Sequence, residues 1–408
     1  MSNLFLKGPE VTALVLEARA IKESGKVFSD IVDEKGNYYV DFVQQGGGVL
    51  GIGLTGYTYI LEQAGIRFYS LAGTSAGALN SLMMASLKKI GDPVSVKILN
   101  ILSRKNLFDF VDGPTGIKKL IQKQIEGKKG LIWSFFWNSF SIYWSLKNKY
   151  GLNPGKELYN WVEEQLIENN IYTYADLKNF RQKPDGIYNR LDPDKPVSSP
   201  KMTFITSEIT THSRIELPRM ADIYWEDPDS ASPAEFVHAS LAVPYFFYPF
   251  EKNNIPNAGK KAEGNWIKYA DYTGEIPETI KFVDGGLLSN FPIDVFHIRD
   301  VPTRPTFGAR LSTYRKEFAP TDSVFNFSGA IINTMRQIHD YEVILRNPDF
   351  KQLICNIDAD KKFNWLDFNM SPENQQQLFI LGARKALGFL QKFDWDHYKE
   401  TRRKLNLS

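Results

Sequence analysis

Residues 66 to 89, IRFYSLAGTSAGALNSLMMASLKK, pass from a β-branched and aromatic run into a helical pattern with only Gly73-Thr74-Ser75-Ala76-Gly77 between them. A strand that enters a helix through so short a turn is half of a parallel crossover, because the helix must lie back along the sheet. The preceding stretch repeats the arrangement: NYYVDFVQQ reads as a strand, the glycines from Gly46 as a turn, and GLTGYTYILEQAG as a helix ended by Gly65. Two βα units in succession predict an α/β chain with a mainly parallel sheet covered by helices. Strand character returns at KMTFITSEITT, TIKFVDGG and TFGARLS. From about 92 to 200 the pattern is helical or irregular, which predicts an inserted cap. Beyond about 305 the sequence is helix-rich and includes a helix opened by Ser371-Pro372. No repeat, low-complexity tract or composition break marks a linker. The expected organisation is an amino-terminal segment over 1–35, an α/β domain over 36–304 with its insertion at about 92–200, and a carboxy-terminal extension over 305–408 packed on the same domain.

Composition narrows the chemistry. With 43% hydrophobic and 24% charged residues, the 408-residue chain can bury a sizeable core. Cys355 is its only cysteine, so no disulfide or cysteine-based metal site is expected, and its place in KQLICNID reads as a small buried hydrophobe. Neither metal-ligand spacing nor a nucleic-acid motif is present, so no cofactor and no nucleic-acid partner are expected. The amino terminus lacks the order of a signal peptide, which predicts a cytoplasmic protein. The net charge of +2 conceals an uneven distribution: Lys88 to Tyr150 holds 12 Lys or Arg against 4 Asp or Glu, a surface for something acidic.

Gly46, Gly48 and Gly51 have the G-x-G-x-x-G spacing of a dinucleotide cradle. That reading requires an acidic residue near the end of the second strand, and the second strand ends in LAGTSAG instead. The G-x-S-x-G pentapeptide there forces Ser75 into a strained turn and exposes its hydroxyl at a helix amino terminus; the alternative is a plain N-cap serine. A nucleophilic serine gives the first glycine run a purpose. Attack on an ester makes an oxyanion, which backbone N–H groups stabilise when they are arranged beforehand. Asp284, followed by Gly285 and Gly286 in KFVDGGLLSNFP, supplies a carboxylate at a third strand end, although Asp-Gly is also a common turn pair.

These three stretches, G-G-G-x-x-G at Gly46 to Gly51, G-x-S-x-G at Gly73 to Gly77 and D-G-G at Asp284 to Gly286, occur in the order in which they resemble the patatin-like phospholipases. HASLAVPYFFYPF, 238 to 250, is a looser fourth resemblance, and the whole spans about residues 38 to 300. The resemblance implies a three-layer fold around a mainly parallel central sheet, with a helical cap insertion. It further implies a lipid acyl hydrolase of phospholipase A or lysophospholipase type, with Ser75 as nucleophile, Asp284 as proton acceptor and Gly46, Gly47 and Gly48 as the oxyanion hole. Where the family usually carries Arg or Lys before the last glycine of the first motif, this chain has Leu50.

Two other readings remain open at this stage. The chain order Ser75, Asp284, His297 permits a Ser-His-Asp carboxylesterase acting on soluble esters, and Leu50 permits a lipid-binding member of the fold with weak catalysis. GLIWSFFWNSFSIYWSL, 130 to 146, is uncharged but shorter than the about 20 apolar residues a spanning helix needs. As a helix it puts Trp133, Trp137, Phe140 and Trp144 on one face, with Lys128, Lys129, Lys147 and Lys149 at its flanks. That pattern fits peripheral contact with an anionic membrane at its inner face, and equally a cap helix packed on the catalytic domain.

Overall fold

A computed structural model describes residues 5–125, 131–313, 321–322 and 324–407. Twelve strands occur among them: β1 (Ile31–Asp33), β2 (Tyr38–Gln44), β3 (Ile66–Thr74), β4 (Gly151–Asn153), β5 (Ile187–Asn189), β6 (Met202–Glu208), β7 (Ser213–Leu217), β8 (Tyr245–Phe247), β9 (Phe250–Asn253), β10 (Thr279–Asp284), β11 (Thr306–Arg310) and β12 (Ile354–Asn356). The central sheet follows the order β12-β11-β2-β3-β6-β10-β9. Its first five strands are mutually parallel, and β10 and β9 are antiparallel to their neighbours. Strands β2 and β3 are buried at nearly every position, so both faces of the sheet are covered. The runs YYVDFVQ and IRFYSLAGT suit that place because β-branched and aromatic side chains pack well on a pleated surface. The mainly parallel, helix-covered α/β architecture expected from the two βα units is the observed one.

The register on β6 decides where the chemistry can sit. Strand β7 occupies rungs Phe204 to Glu208 on one edge. The other edge is shared: β3 pairs in parallel up to Thr74 opposite Ile205, and β10 pairs antiparallel from Phe282 to Asp284 opposite Thr206. The carboxyl ends of β3 and β10 therefore meet head-on at adjacent rungs. Sequence alone offers three strand ends without saying that the third arrives from the opposite direction.

The stretch from 92 to 200 is mostly helical as expected but also contributes β4 and β5, which pair with β8 and β1. Three-residue strands are too short to leave a readable periodicity. Helices Thr115–Ile125 and Leu131–Lys149 pack on each other around Ile117 and Ile142, a small satellite of the main core. In the carboxy-terminal region, Ser371 caps the helix Pro372–Lys392 by accepting from the Asn374 amide at 3.2 Å. That helix packs along helix Gly51–Gln63. The last helix, Trp395–Leu407, is pinned by two buried ion pairs, Lys399 to Asp30 and Arg402 to Asp349, each at 3.0 Å. Cys355 is buried in β12, where burial pushes its thiol up to about 12, so it stays protonated and unreactive.

Candidate active site

The turn after β3 holds Ser75 at φ 52° and ψ −122°, an unusual backbone conformation for a residue with a Cβ. Its surroundings over-determine that conformation. The Ser75 amide donates to Ser240 Oγ at 2.9 Å, and Ser240 in turn donates to the Ile205 carbonyl at 2.5 Å. Thr74 Oγ1 donates to the Ser289 carbonyl at 2.9 Å, tying the turn to the loop after β10. Gly77 is required by close approach: a Cβ there would stand 2.2 Å from the Gln44 carbonyl oxygen at the end of β2.

Head-on pairing along β6 brings Asp284 to this turn. The Ser75 hydroxyl is close enough to Asp284 to favour its ionised form, and the Gly286 amide donates to Asp284 Oδ1 at 2.7 Å. Both Ser75 and Asp284 are 4% exposed. Burial raises the Asp284 pKa above the ordinary carboxylate range, while the Arg336 guanidinium, the Ser75 hydroxyl and the Gly286 amide pull in the opposite direction.

The glycine run lies across the same crevice. Gly46 is spent on structure: its amide donates to the Asn290 carbonyl at 3.0 Å, and a Cβ on it would stand 3.1 Å from Ser75 Cβ. Among the described residues the amides of Gly47 and Gly48 have no acceptor, whereas Val49 donates to the Trp365 carbonyl at 3.1 Å. Gly48 has φ +54°, and a Cβ there would meet the Trp365 carbonyl oxygen at 2.2 Å. Only glycine fits this point, which leaves two free amides beside a buried serine. Gly51 opens helix Gly51–Gln63, Gly73 packs against Gly77, and Gly285 packs on the Ile205 carbonyl.

Ser75 lies on the wall of an apolar cavity. Met83, Ile98, Phe110, Leu158, Phe246 and Trp365 line it, and Ser75 and Asn80 are the polar side chains among its walls. The apolar character of these walls suits a hydrocarbon chain.

Several expectations acquire a definite place. His297 faces Arg402 Nη1 at 3.3 Å and packs on Phe350, and no histidine lines the Ser75 cavity among the described residues. The Ser-His-Asp alternative therefore lacks its base. Leu50 is buried, and the cation that acts on Asp284 is Arg336, on helix Val324–Arg346. No group of metal-binding side chains occurs among the described residues. On helix Leu131–Lys149, Phe140 and Trp144 are 76% and 51% exposed, while Ser145 points inward and donates to the Gly151 carbonyl at 2.6 Å. The side chains of Trp133 and Trp137, and residues Lys128 and Lys129, lie outside the described residues. No described helix is long and apolar enough to cross a membrane.

Sequence reasoning passed over four residues of this site. Ser240 and Asn290 sit inside stretches already singled out, HASLAVP and DGGLLSN, where a polar residue near the glycines was an available signal. Arg336 and Trp365 lie in the carboxy-terminal region, where no local motif marks them.

The chain is 29% identical over 360 residues to YqhO, an uncharacterized protein of Bacillus subtilis (strain 168), covering 88% of this chain and 100% of that one. It is similar to the crystal structure of VipD from Legionella pneumophila, with a TM-score of 0.42 and 15% identity over 90% of this chain and 70% of that one. The sequence profile of the patatin-like phospholipases matches residues 42–297, a span that contains Ser75, Asp284 and the glycine run. This chain belongs to the patatin-like phospholipase family.

Proposed function

We propose that the protein is a serine lipid acyl hydrolase working through a Ser75-Asp284 dyad and an acyl-enzyme. The observation that carries this reading is the Ser75 hydroxyl set beside a buried carboxylate at the wall of an apolar cavity, with two glycine amides near it that have no acceptor among the described residues. The acyl chain enters the cavity and the ester carbonyl lies against Gly47 and Gly48. Asp284 takes the Ser75 proton as the oxygen attacks, and the two amides hold the oxyanion. Collapse of the tetrahedral species transfers the proton from Asp284 to the departing alcohol. A water activated by the same carboxylate then releases the fatty acid. The direct test is fatty-acid release from a panel of phospholipids by the purified protein with Ser75→Ala as blank; release equal to the blank on every substrate would refute the reading.

The base must be ionised to act, which fixes the sign of the pH dependence. Since burial holds the Asp284 carboxyl above its ordinary range, the acid limb of the kcat/KM profile is expected at higher pH than a solvent-exposed aspartate gives. Removing the Arg336 charge is expected to move that limb higher still, because the guanidinium favours the carboxylate. An acid limb within the ordinary aspartate range would assign the base elsewhere.

A lipid surface is the natural source of such substrates, and the exposed side chains of helix Leu131–Lys149 suit contact with it. Replacing Phe140 and Trp144 together with serine is expected to weaken binding to anionic vesicles and leave both Tm and hydrolysis of a short soluble ester nearly unchanged. A large fall in Tm with unaltered vesicle binding would make these residues packing elements instead.

A further inference from the structure

We propose that Arg336 receives the phosphate on the alcohol side of the scissile ester and is the residue by which this chain discriminates glycerophospholipids from neutral acylglycerols. The proposal rests on the hydrolase reading of Ser75 and Asp284 and adds a specificity-determining residue.

Three groups converge on one point beside the dyad. A methyl built on Gly286 would stand 2.7 Å from Asp284 Oδ1, 2.7 Å from Asn290 Oδ1 and 3.4 Å from Arg336 Nη2. The guanidinium also lies 5.2 Å from the ring centroid of Trp365, which closes the cavity wall against the glycine run. Arg336 thus spans from the Asp284 loop to the rim of the acyl cavity. Its helix, Val324–Arg346, is tied to the same loop through Asp340, which accepts from the Ser289 hydroxyl at 3.4 Å.

The two halves of an ester must lie on opposite sides of Ser75. Asp284, Asn290 and Arg336 do not line the apolar cavity, so the acyl chain and these polar groups are separated by the nucleophile. The departing oxygen has to be within reach of the carboxylate that returns its proton, which places the alcohol on the Asp284 side. Arg336 is the cation there. Among the described residues its guanidinium has neither an ion pair nor a hydrogen bond, and the carboxylate nearby is directed at Ser75 and Gly286. A half-buried guanidinium with its donors unspent is a site for an anion, and its planar fork matches two phosphate oxygens. In a glycerophospholipid the phosphate follows the ester oxygen by a few bonds, and in an acylglycerol a neutral hydroxyl or ester takes its place. The buried acceptor Asn290 Oδ1, which has no partner, adds a second polar contact for the glycerol part.

The test compares two soluble esters below their micellar concentrations, dihexanoylphosphatidylcholine and dihexanoylglycerol, with the full-length wild type, Arg336→Gln and Arg336→Lys. The quantity read is the ratio of their kcat/KM values. Folding losses and any change acting through Asp284 affect both esters and cancel in that ratio. Wild type is expected to favour the phospholipid. The ratio should fall about ten- to a hundred-fold in Arg336→Gln, the size of a charge-assisted hydrogen bond, and recover in part in Arg336→Lys. A ratio unchanged in Arg336→Gln, whether both activities fall together or neither does, overturns the phosphate site and leaves the hydrolase reading standing. A wild type that cleaves neither ester, or cleaves them no faster than Ser75→Ala, overturns both.

Discussion

Replacing Ser75 with alanine or Asp284 with asparagine is expected to lower ester hydrolysis by about 10³-fold or more, as groups that act as one unit do. The two losses should be similar in size and the double variant little worse than either. Ser75→Ala removes the atom that attacks. Asp284→Asn keeps the shape and the bond from the Gly286 amide but cannot take the proton. Neither change removes packing volume, and Asp284→Asn also relieves the cost of holding an ionised carboxylate in a buried place, so thermal unfolding should stay within a few degrees of wild type. Steady-state release of a chromogenic alcohol, with unfolding followed by circular dichroism, measures both. Asp284→Asn retaining wild-type turnover would remove the carboxylate from the mechanism. Loss of folding in Ser75→Ala would mean that the hydroxyl is needed to sustain the strained turn.

The other large effect is expected far from the dyad. Gly382→Ala should destabilise the protein by about 1–3 kcal/mol or more through overpacking, and should lower activity with it. Helices Pro372–Lys392 and Gly51–Gln63 approach so closely that a Cβ on Gly382 would stand 1.9 Å from the Gly53 carbonyl oxygen. On the facing side, a Cβ on Gly56 would stand 2.0 Å from the Phe379 carbonyl oxygen. Backbone cannot yield as a flexible side chain does, so the helices must separate. Helix Gly51–Gln63 begins directly after the glycine run, so its displacement reaches the amides of Gly47 and Gly48. Gly388→Ala on the same helix is the matched control: nothing lies within 4 Å of its Cβ position, and alanine there should gain up to about 1 kcal/mol from helix propensity. Chemical denaturation of the two variants measures the difference. Equal stabilities would mean that the close helix contact contributes nothing.

These expectations depend on features of different legibility. Local ones were readable because each is set within a few residues. The strand-to-helix turns at Gly46 and Gly73, the Ser371 cap and the burial of Cys355 follow from chain geometry and hydrophobic pattern, and the structure has each of them. Gly48 shows the limit of such reading. The spacing announced a bare backbone, but the atom that demands it belongs to Trp365, more than 300 residues away along the chain. The aromatic stretch shows another limit. Its periodicity placed Phe140 and Trp144 on one face without saying whether that face would be buried, because both outcomes use the same repeat.

What the sequence determined by itself was therefore the set of parts: two βα units, a serine in a strained turn, an acid before paired glycines, and a glycine run fit to approach them. Only the tertiary structure decided how they meet. Strand β10 runs against β3 along one edge of β6, so Asp284 reaches Ser75 from the opposite direction, and His297 is left beside Arg402. It also decided that Trp365, from a region without a motif, joins the cavity wall, with Arg336 over its ring. The physical reason is that turn chemistry and periodicity act over a few residues, whereas strand direction, register and helix docking are fixed by surfaces buried between segments far apart in the chain.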